Sequence, residues 1–249
     1  MRLLLVADLH YTLPQYDWVV HHAAEFDVVV VAGDHLDVRS AVPLDAQSVV
    51  MLRYAELIQA ATRVVFSSGG HGLTSSELAR KRSAVWRDDA RAAGLPTDGD
   101  VIDMGDTLIT VCPSWDDAAG RAAVRAQLAR DAERRPERWI WVYHWPPLDV
   151  SDCLRGDKFL ADPGLLEWIH EFQPDVVLAG HVHQSPFEPD GSWADRIGRT
   201  WVFNPGRQIG GTPARVEVDF DAGTAVWDSV MGYEERDLNE FDPGERTGS

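Results

Sequence analysis

Six histidines and two aspartates share one kind of position in this sequence: just beyond a short apolar run. Asp8 and His10 follow the run Arg2–Ala7, and Asp34 with His35 follow Asp27–Ala32. His71 comes after Thr62–Ser67, His144 after Trp139–Tyr143, and His181 with His183 after Asp175–Ala179. Imidazoles and carboxylates together suit borderline divalent ions such as zinc, manganese or iron. In a strand, alternate side chains point to one side, so Asp8-x-His10 and His181-x-His183 would each aim a pair of donors together. Gly33 and Gly180 leave room beside the backbone for a metal or a substrate. The donors suffice for two ions sharing a carboxylate, and ions ~3.5–4 Å apart are a common device for in-line displacement at phosphorus. The remaining histidines, His21, His22 and His170, fall inside predicted helices and read as ordinary helix residues.

These donors need elements that bring distant segments to one edge. The apolar runs named above, with Thr107–Cys112, are short, rich in Val, Ile and Leu, and bounded by turn residues, as buried strands are. Amphipathic stretches separate them: Gln15–Glu25, Leu44–Ala60, Ser75–Ala93, Asp116–Arg135 and Pro163–Glu171. That alternation predicts a layered α/β domain with a mixed sheet, whose ligands bind beyond the carboxyl ends of the strands. After residue 198 the pattern changes. Thr200–Phe203, Ala214–Asp219 and Thr224–Asp228 read as strands with no helices between them, the last two as a hairpin, and suggest a second, antiparallel layer. The domain is expected to span residues 1–233. Residues 234–249 are acidic, contain Pro243 and Gly244, lack apolar periodicity and read as a disordered tail.

Composition narrows the functional classes. A chain of 249 residues that is 45% hydrophobic and 25% charged is long enough for a sizeable core and ordinary for a globular protein. It has 23 basic against 40 acidic residues, a net charge of −17. The tail, with six acids and two arginines, accounts for −4 and leaves −13 on the rest. Such a field repels polyanions and argues against extended nucleic-acid binding, although it permits a small phosphorylated substrate. No run approaches the ~18–20 apolar residues of a membrane span. Two cysteines, Cys112 and Cys153, form neither a disulfide framework nor a thiolate metal site. With no secretory signal evident, they point to the cytoplasm.

The motifs resemble the calcineurin-like metallophosphoesterase family, specifically its small uncapped members. The matching segments are Asp8-Leu9-His10, Gly33-Asp34-His35, Gly69-Gly70-His71, His144 within Tyr-His-Trp-Pro-Pro, and Gly180-His181-Val182-His183. They occur in the family's order over residues 1–185, and Asn204-Pro205-Gly206-Arg207 resembles the stretch that follows. The resemblance implies an α/β fold, a four-layer αββα sandwich of two mixed β-sheets flanked by helices. It also implies that Asp8, His10 and His183 hold one metal, that His144 and His181 hold another, and that Asp34 bridges them. His71 matches the histidine that faces the leaving-group oxygen, where it would act as general acid or transition-state stabiliser.

One departure stands out. The family's third block normally reads Gly-Asn-His followed by Asp or Glu, whereas this chain has Gly70 and Gly72 flanking His71. An amide ligand of the second metal and a carboxylate that orients the histidine are both missing. Three readings stay open: a weaker second site completed by water, His35 as a substitute ligand, or a crippled form.

The resemblance leads to the expectation of a metal-dependent phosphoesterase that hydrolyses a small phosphodiester or phosphomonoester by metal-activated hydroxide attack. A phosphodiesterase is favoured, with two divalent ions (Mn, Fe or Zn). Arg207 could fork onto a phosphate, and Tyr11 could stack on a base or aromatic leaving group. Trp145 carries the same choice between stacking and packing. The alternatives are a metallophosphoesterase-like scaffold that binds partners without catalysis, and a nuclease of the same superfamily.

Overall fold

A computed structural model describes residues 1–69, 86–115, 117–147, 150, 154–155, 158–159 and 161–240. His71, Gly70 and Gly72 lie outside the described residues, as does the first part of the helix expected over Ser75–Ala93.

The first sheet begins with three parallel strands, β1 (Arg2–Val6), β2 (Val28–Ala32) and β3 (Arg63–Ser67). Helix α1 (Leu13–His22) connects the first two strands and α2 (Leu44–Gln59) the next two. Residues 86–92 form helix α3. The second sheet contains β4 (Val101–Asp103), β5 (Thr107–Val111), β6 (Arg138–Val142), β9 (Val176–Leu178), β10 (Ala194–Ile197) and β11 (Thr200–Phe203). Helix α4 (Ala118–Ala132) lies between β5 and β6 in the chain, and α5 (Pro163–Phe172) precedes β9. A small ribbon of β7 (Leu154–Arg155) and β8 (Lys158–Phe159) intervenes. Strands β12 (Arg215–Asp219), β13 (Thr224–Ser229) and β14 (Gly232–Asp237) return to the first sheet, giving the order β14-β13-β12-β1-β2-β3. The second sheet runs β10-β11-β9-β6-β5-β4.

Strand periodicity sets the layers. In β1, Leu3 and Leu5 face one way and pack with Val28, Val30, Ile109, Ile140, Val142 and Leu178, which fill the space between the sheets. Leu4 and Val6 face the other way and pack with Val29, Val31, Tyr16, Val19, Met51 and Ile58 beneath α1 and α2. The second sheet repeats this: Trp139, Trp141 and Val177 meet Val124, Leu128, Leu165 and Trp168 of α4 and α5. The result is the αββα sandwich, with both faces of its central parallel strands buried, which is why those strands read as unbroken apolar runs.

The expected separate layer of terminal strands is not formed. β12 pairs antiparallel with β1, from Arg2 opposite Asp219 to Leu5 opposite Val216, so the hairpin extends the first sheet. The expected tail boundary also moves. Residues 232–237 pair with β13 from Ser229 opposite Gly232 to Thr224 opposite Asp237, and the Trp193 indole donates to Glu234 at 3.0 Å. The stretch Gln184–Arg199 contains β10, paired with β11. No described helix is long and apolar enough to cross a membrane.

Candidate metal centre

The loops after β1, β2, β6 and β9 meet at one end of the sandwich. Asp8, His10, Asp34 and His183 form one group whose donor atoms all lie within 4.8 Å of one another, and Asp34, His144 and His181 form a second. Asp34 belongs to both. Of the expected ligands, all six are therefore brought together.

The backbone achieves this by leaving the strands abruptly. Asp8, His10, Asp34 and His181 all have positive φ, at 54°, 41°, 44° and 66°. Left-handed conformations cost non-glycine residues energy and persist where the surroundings over-determine them. Asp8 and His10 lie past the end of β1, so the strand alternation expected to aim them together is not the cause. Instead, His10 N donates to Asp34 O at 2.9 Å and Asp8 N to Gly33 O at 3.2 Å, which locks the first two loops side by side. Asp8 is fully buried and its Oδ2 accepts from His181 N at 2.8 Å, joining the first loop to the fourth.

Around the first group, His183 Nε2 lies 3.2 Å from Asp8 Oδ1 and 3.1 Å from His10 Nε2. His10 Nε2 is in turn 3.8 Å from Asp34 Oδ2. Two imidazole nitrogens and two carboxylates converging on so small a volume fit a divalent cation of the borderline class, since no sulfur takes part. At the second group, His144 Nδ1 lies 2.7 Å from Ala32 O. A carbonyl only accepts, so Nδ1 carries a proton, and Nε2 would present its lone pair to a metal once its own proton is displaced. That buried Nε2 makes no hydrogen bond among the described residues; Asp34 Oδ1 is 3.6 Å away. An orphaned, buried imidazole nitrogen facing a carboxylate is what a metal ligand looks like in a structure without ions.

The electrostatics agree. Burial pulls the His144 pKa down, but Asp34 and Asp8 outweigh it and hold the group at about 9. Without a cation between them, the two carboxylates thus favour a positive charge on the His144 ring itself, which a bound metal would replace. Burial, aided by His144, pushes His181 down to about 4, and burial also lowers His10 against the pull of Asp34 and Asp8.

The other candidates are placed differently. His35 joins neither group. Its ring lies tilted against Trp86, centroids 4.1 Å apart, and meets the edge of Phe66 on the outer, helix-covered side of the first sheet, so the substitute-ligand reading finds no geometry. Tyr11 is half-buried and packs against the cluster under α1 and α2. Arg207 N donates to His183 O at 3.0 Å, which sets the Arg207 backbone beside the first group, and its charge helps to lower the pKa of His10. Two contacts had no signal in the sequence. Ser114 donates its hydroxyl to Gly69 O at 3.1 Å, and the Trp145 ring stacks on His181 at 3.7 Å.

A sequence model described as calcineurin-like phosphoesterase matches residues 1–185. The chain belongs to that family. Structural relatives share the fold at low sequence identity. TT1561 of Thermus thermophilus is 13% identical with a TM-score of 0.58, the match covering 95% of this chain and 98% of that one. The purple acid phosphatase PPD1 from yellow lupin (Lupinus luteus) seeds is 12% identical with a TM-score of 0.57, covering 96% of this chain. The match takes in about half of the lupin protein, 52% of its length. No curated protein matches the sequence.

Proposed function

We propose that this calcineurin-like family member is a dinuclear metal-dependent phosphoesterase acting on a small phosphodiester or phosphomonoester, with the diester favoured. One observation carries the reading: Asp34 is common to two donor groups built from loops that are distant in sequence. Asp8, His10, Asp34 and His183 would hold one ion, and Asp34, His144 and His181 the other, with manganese, iron or zinc as the candidates. Divalent ions held there would activate water as the nucleophile and neutralise charge on the phosphoryl oxygens.

The chain's own residues do the rest. Ala32 O fixes the His144 tautomer with Nε2 turned inward. Asp8 both contributes a donor and ties the His181 backbone to the first loop. Arg207, beside the first group, would receive a phosphate oxygen through its guanidinium. His71, matched to the family's leaving-group histidine, would protonate the departing oxygen. The absence of a side chain at Gly70 supports a weaker second ion and is the specific observation behind the alternative, a scaffold with reduced or no catalysis. The net charge of −17 opposes a nuclease role.

The deciding experiment is elemental analysis of the purified protein together with assays on bis(p-nitrophenyl) phosphate and p-nitrophenyl phosphate. Activity lost to a chelator and restored by manganese supports the reading. Fewer than about one ion per chain, with no hydrolysis of either ester after manganese addition, leaves the scaffold.

A further inference from the structure

A metal-bound imidazole is usually oriented by a hydrogen bond from its second ring nitrogen. His144 has one, to Ala32 O. His181 does not: no hydrogen bond to its ring occurs among the described residues. Its ring is held by Trp145, whose indole lies nearly parallel to it, centroids 3.7 Å apart and planes inclined by 25°. Among the described residues, the other ring against it is that of His144, edge-on at 5.3 Å.

Trp145 is itself anchored by packing and by its neighbours' backbone bonds. Its side chain packs against the cluster between the second sheet and helices α4 and α5. The chain continues as Pro146-Pro147; Pro146 O accepts from Asp162 N at 2.9 Å and Pro147 bridges to Asp162. On the other flank, His144 O accepts from Gly180 N at 2.9 Å, the residue before His181. The backbone on either side of Trp145 is therefore tied down, next to a candidate ligand whose ring, among the described residues, has no hydrogen bond to orient it.

We infer that Trp145 is a positioning residue for the second metal, setting the His181 imidazole by ring stacking in place of a hydrogen bond. The inference rests on the metal-pair reading. It matters most at this group because Gly70 offers no amide, so the second ion depends on Asp34, His144 and His181. A rotation of one ring out of three ligands costs more affinity than it would in a fuller shell. The indole stacks on a ligand of the second group alone, so the first group should be indifferent to it.

The test is calorimetric titration of chelator-stripped, full-length protein with Mn²⁺, comparing wild type, His181→Ala, Trp145→Phe and Trp145→Leu. His181→Ala identifies which binding phase belongs to the second ion. Leucine, which fills space without a ring, should weaken that phase by about 10-fold or more and leave the first phase unchanged. Phenylalanine, which keeps a stacking face, should restore most of the affinity. If the leucine protein does not fold, Trp145→Met fills the same space flexibly and repeats the comparison. Equal second-ion affinity in the leucine (or methionine) and phenylalanine proteins would overturn the inference, as would equal weakening of both ions. A wild type that binds no ion, or that His181→Ala matches, would instead remove the metal-pair reading beneath it.

Discussion

Gly33 lies so close to His144 that a Cβ at position 33 would sit 2.2 Å from His144 Nδ1. The same carbon would be 2.7 Å from the Gly69 Cα, and Gly33 has φ +97°. The glycine is thus required twice, for its conformation and for the space the imidazole occupies. Gly33→Ala should displace His144 from Ala32 O and with it the buried Nε2 from Asp34. We expect a loss of about 1–3 kcal/mol from overpacking, with backbone strain of about 1–3 kcal/mol in addition. Urea denaturation in the presence of a chelator reads the folding cost alone. Metal content of the native variant should then show the second ion lost before the first. A variant as stable as wild type that retains both ions would refute this account.

Asp98 offers a pH test away from the candidate ligands. It is a buried carboxyl that accepts from Ser68 N at 3.0 Å and from the Ser68 hydroxyl, with Arg87 at 4.0 Å. Burial raises its pKa, and the Ser68 hydrogen bonds and Arg87 only partly oppose this. A pKa raised in the fold means the contribution to stability is fully present below the unfolded value near 3.8 and is lost as pH climbs through the folded value. Asp98→Asn keeps an oxygen for Ser68 N and an amide to donate to the Ser68 hydroxyl, without the buried charge. The melting temperature of the variant relative to wild type should therefore increase from about pH 3.5 to pH 7. A relative melting temperature that falls over that range would show that Asp98 is needed as an anion.

Much of the architecture is legible in the chain because its central strands are buried on both faces. Val28–Ala32 is apolar throughout, Thr107–Val111 is apolar but for two threonines, and both are buried along their length and bounded by turns, so their ends fall within a residue of expectation. The elements that escape detection lack that signature. Val101–Asp103 is three residues long, Ala194–Ile197 carries two charges, and β14 is an exposed edge strand of Glu234, Glu235, Arg236 and Asp237 held by cross-strand pairing. At the candidate metal centre, residue type and position beyond a strand, narrowed by the family motifs, pointed to the six side chains that the loops bring together. Their orientation was not readable, since it comes from left-handed loop residues and backbone bonds between loops, not from strand alternation. His35 shows the limit: it occupies a strand end like the others, yet Phe66 and Trp86 draw its ring to the opposite face of the sheet.

Asp162 links the second sheet to the loop that carries His144. Its carboxylate caps α5 by accepting from Gly164 N at 2.7 Å, and it also accepts from the Tyr143 hydroxyl. Asp162→Ala removes the cap, worth about 0.5–2 kcal/mol, and leaves a buried phenol donor without its acceptor, at about 1–3 kcal/mol. Tyr143→Phe removes donor and hydroxyl together and leaves the cap intact. Chemical denaturation should therefore rank wild type above Tyr143→Phe and Tyr143→Phe above Asp162→Ala. The reverse order of the two variants would mean that the cap contributes little and that the tyrosine acts through its packing.

The sharing of Asp34 predicts an asymmetry among ligand substitutions. His183 occurs only in the first group and His181 only in the second, whereas Asp34 occurs in both. His183→Ala should lower the affinity for the first ion, His181→Ala that for the second, and Asp34→Ala that for both. Each lost ligand from a three- or four-donor set should weaken its ion by about 10-fold or more. Because ions that bind only the folded state stabilise it, the manganese-induced rise in melting temperature should shrink in the same order. The two histidine variants should each keep part of the rise, and Asp34→Ala should keep almost none. Elemental analysis after equilibration at limiting manganese gives an independent count. If Asp34→Ala retained as much metal as either histidine variant, the carboxylate would not be shared and the two groups would be separate sites.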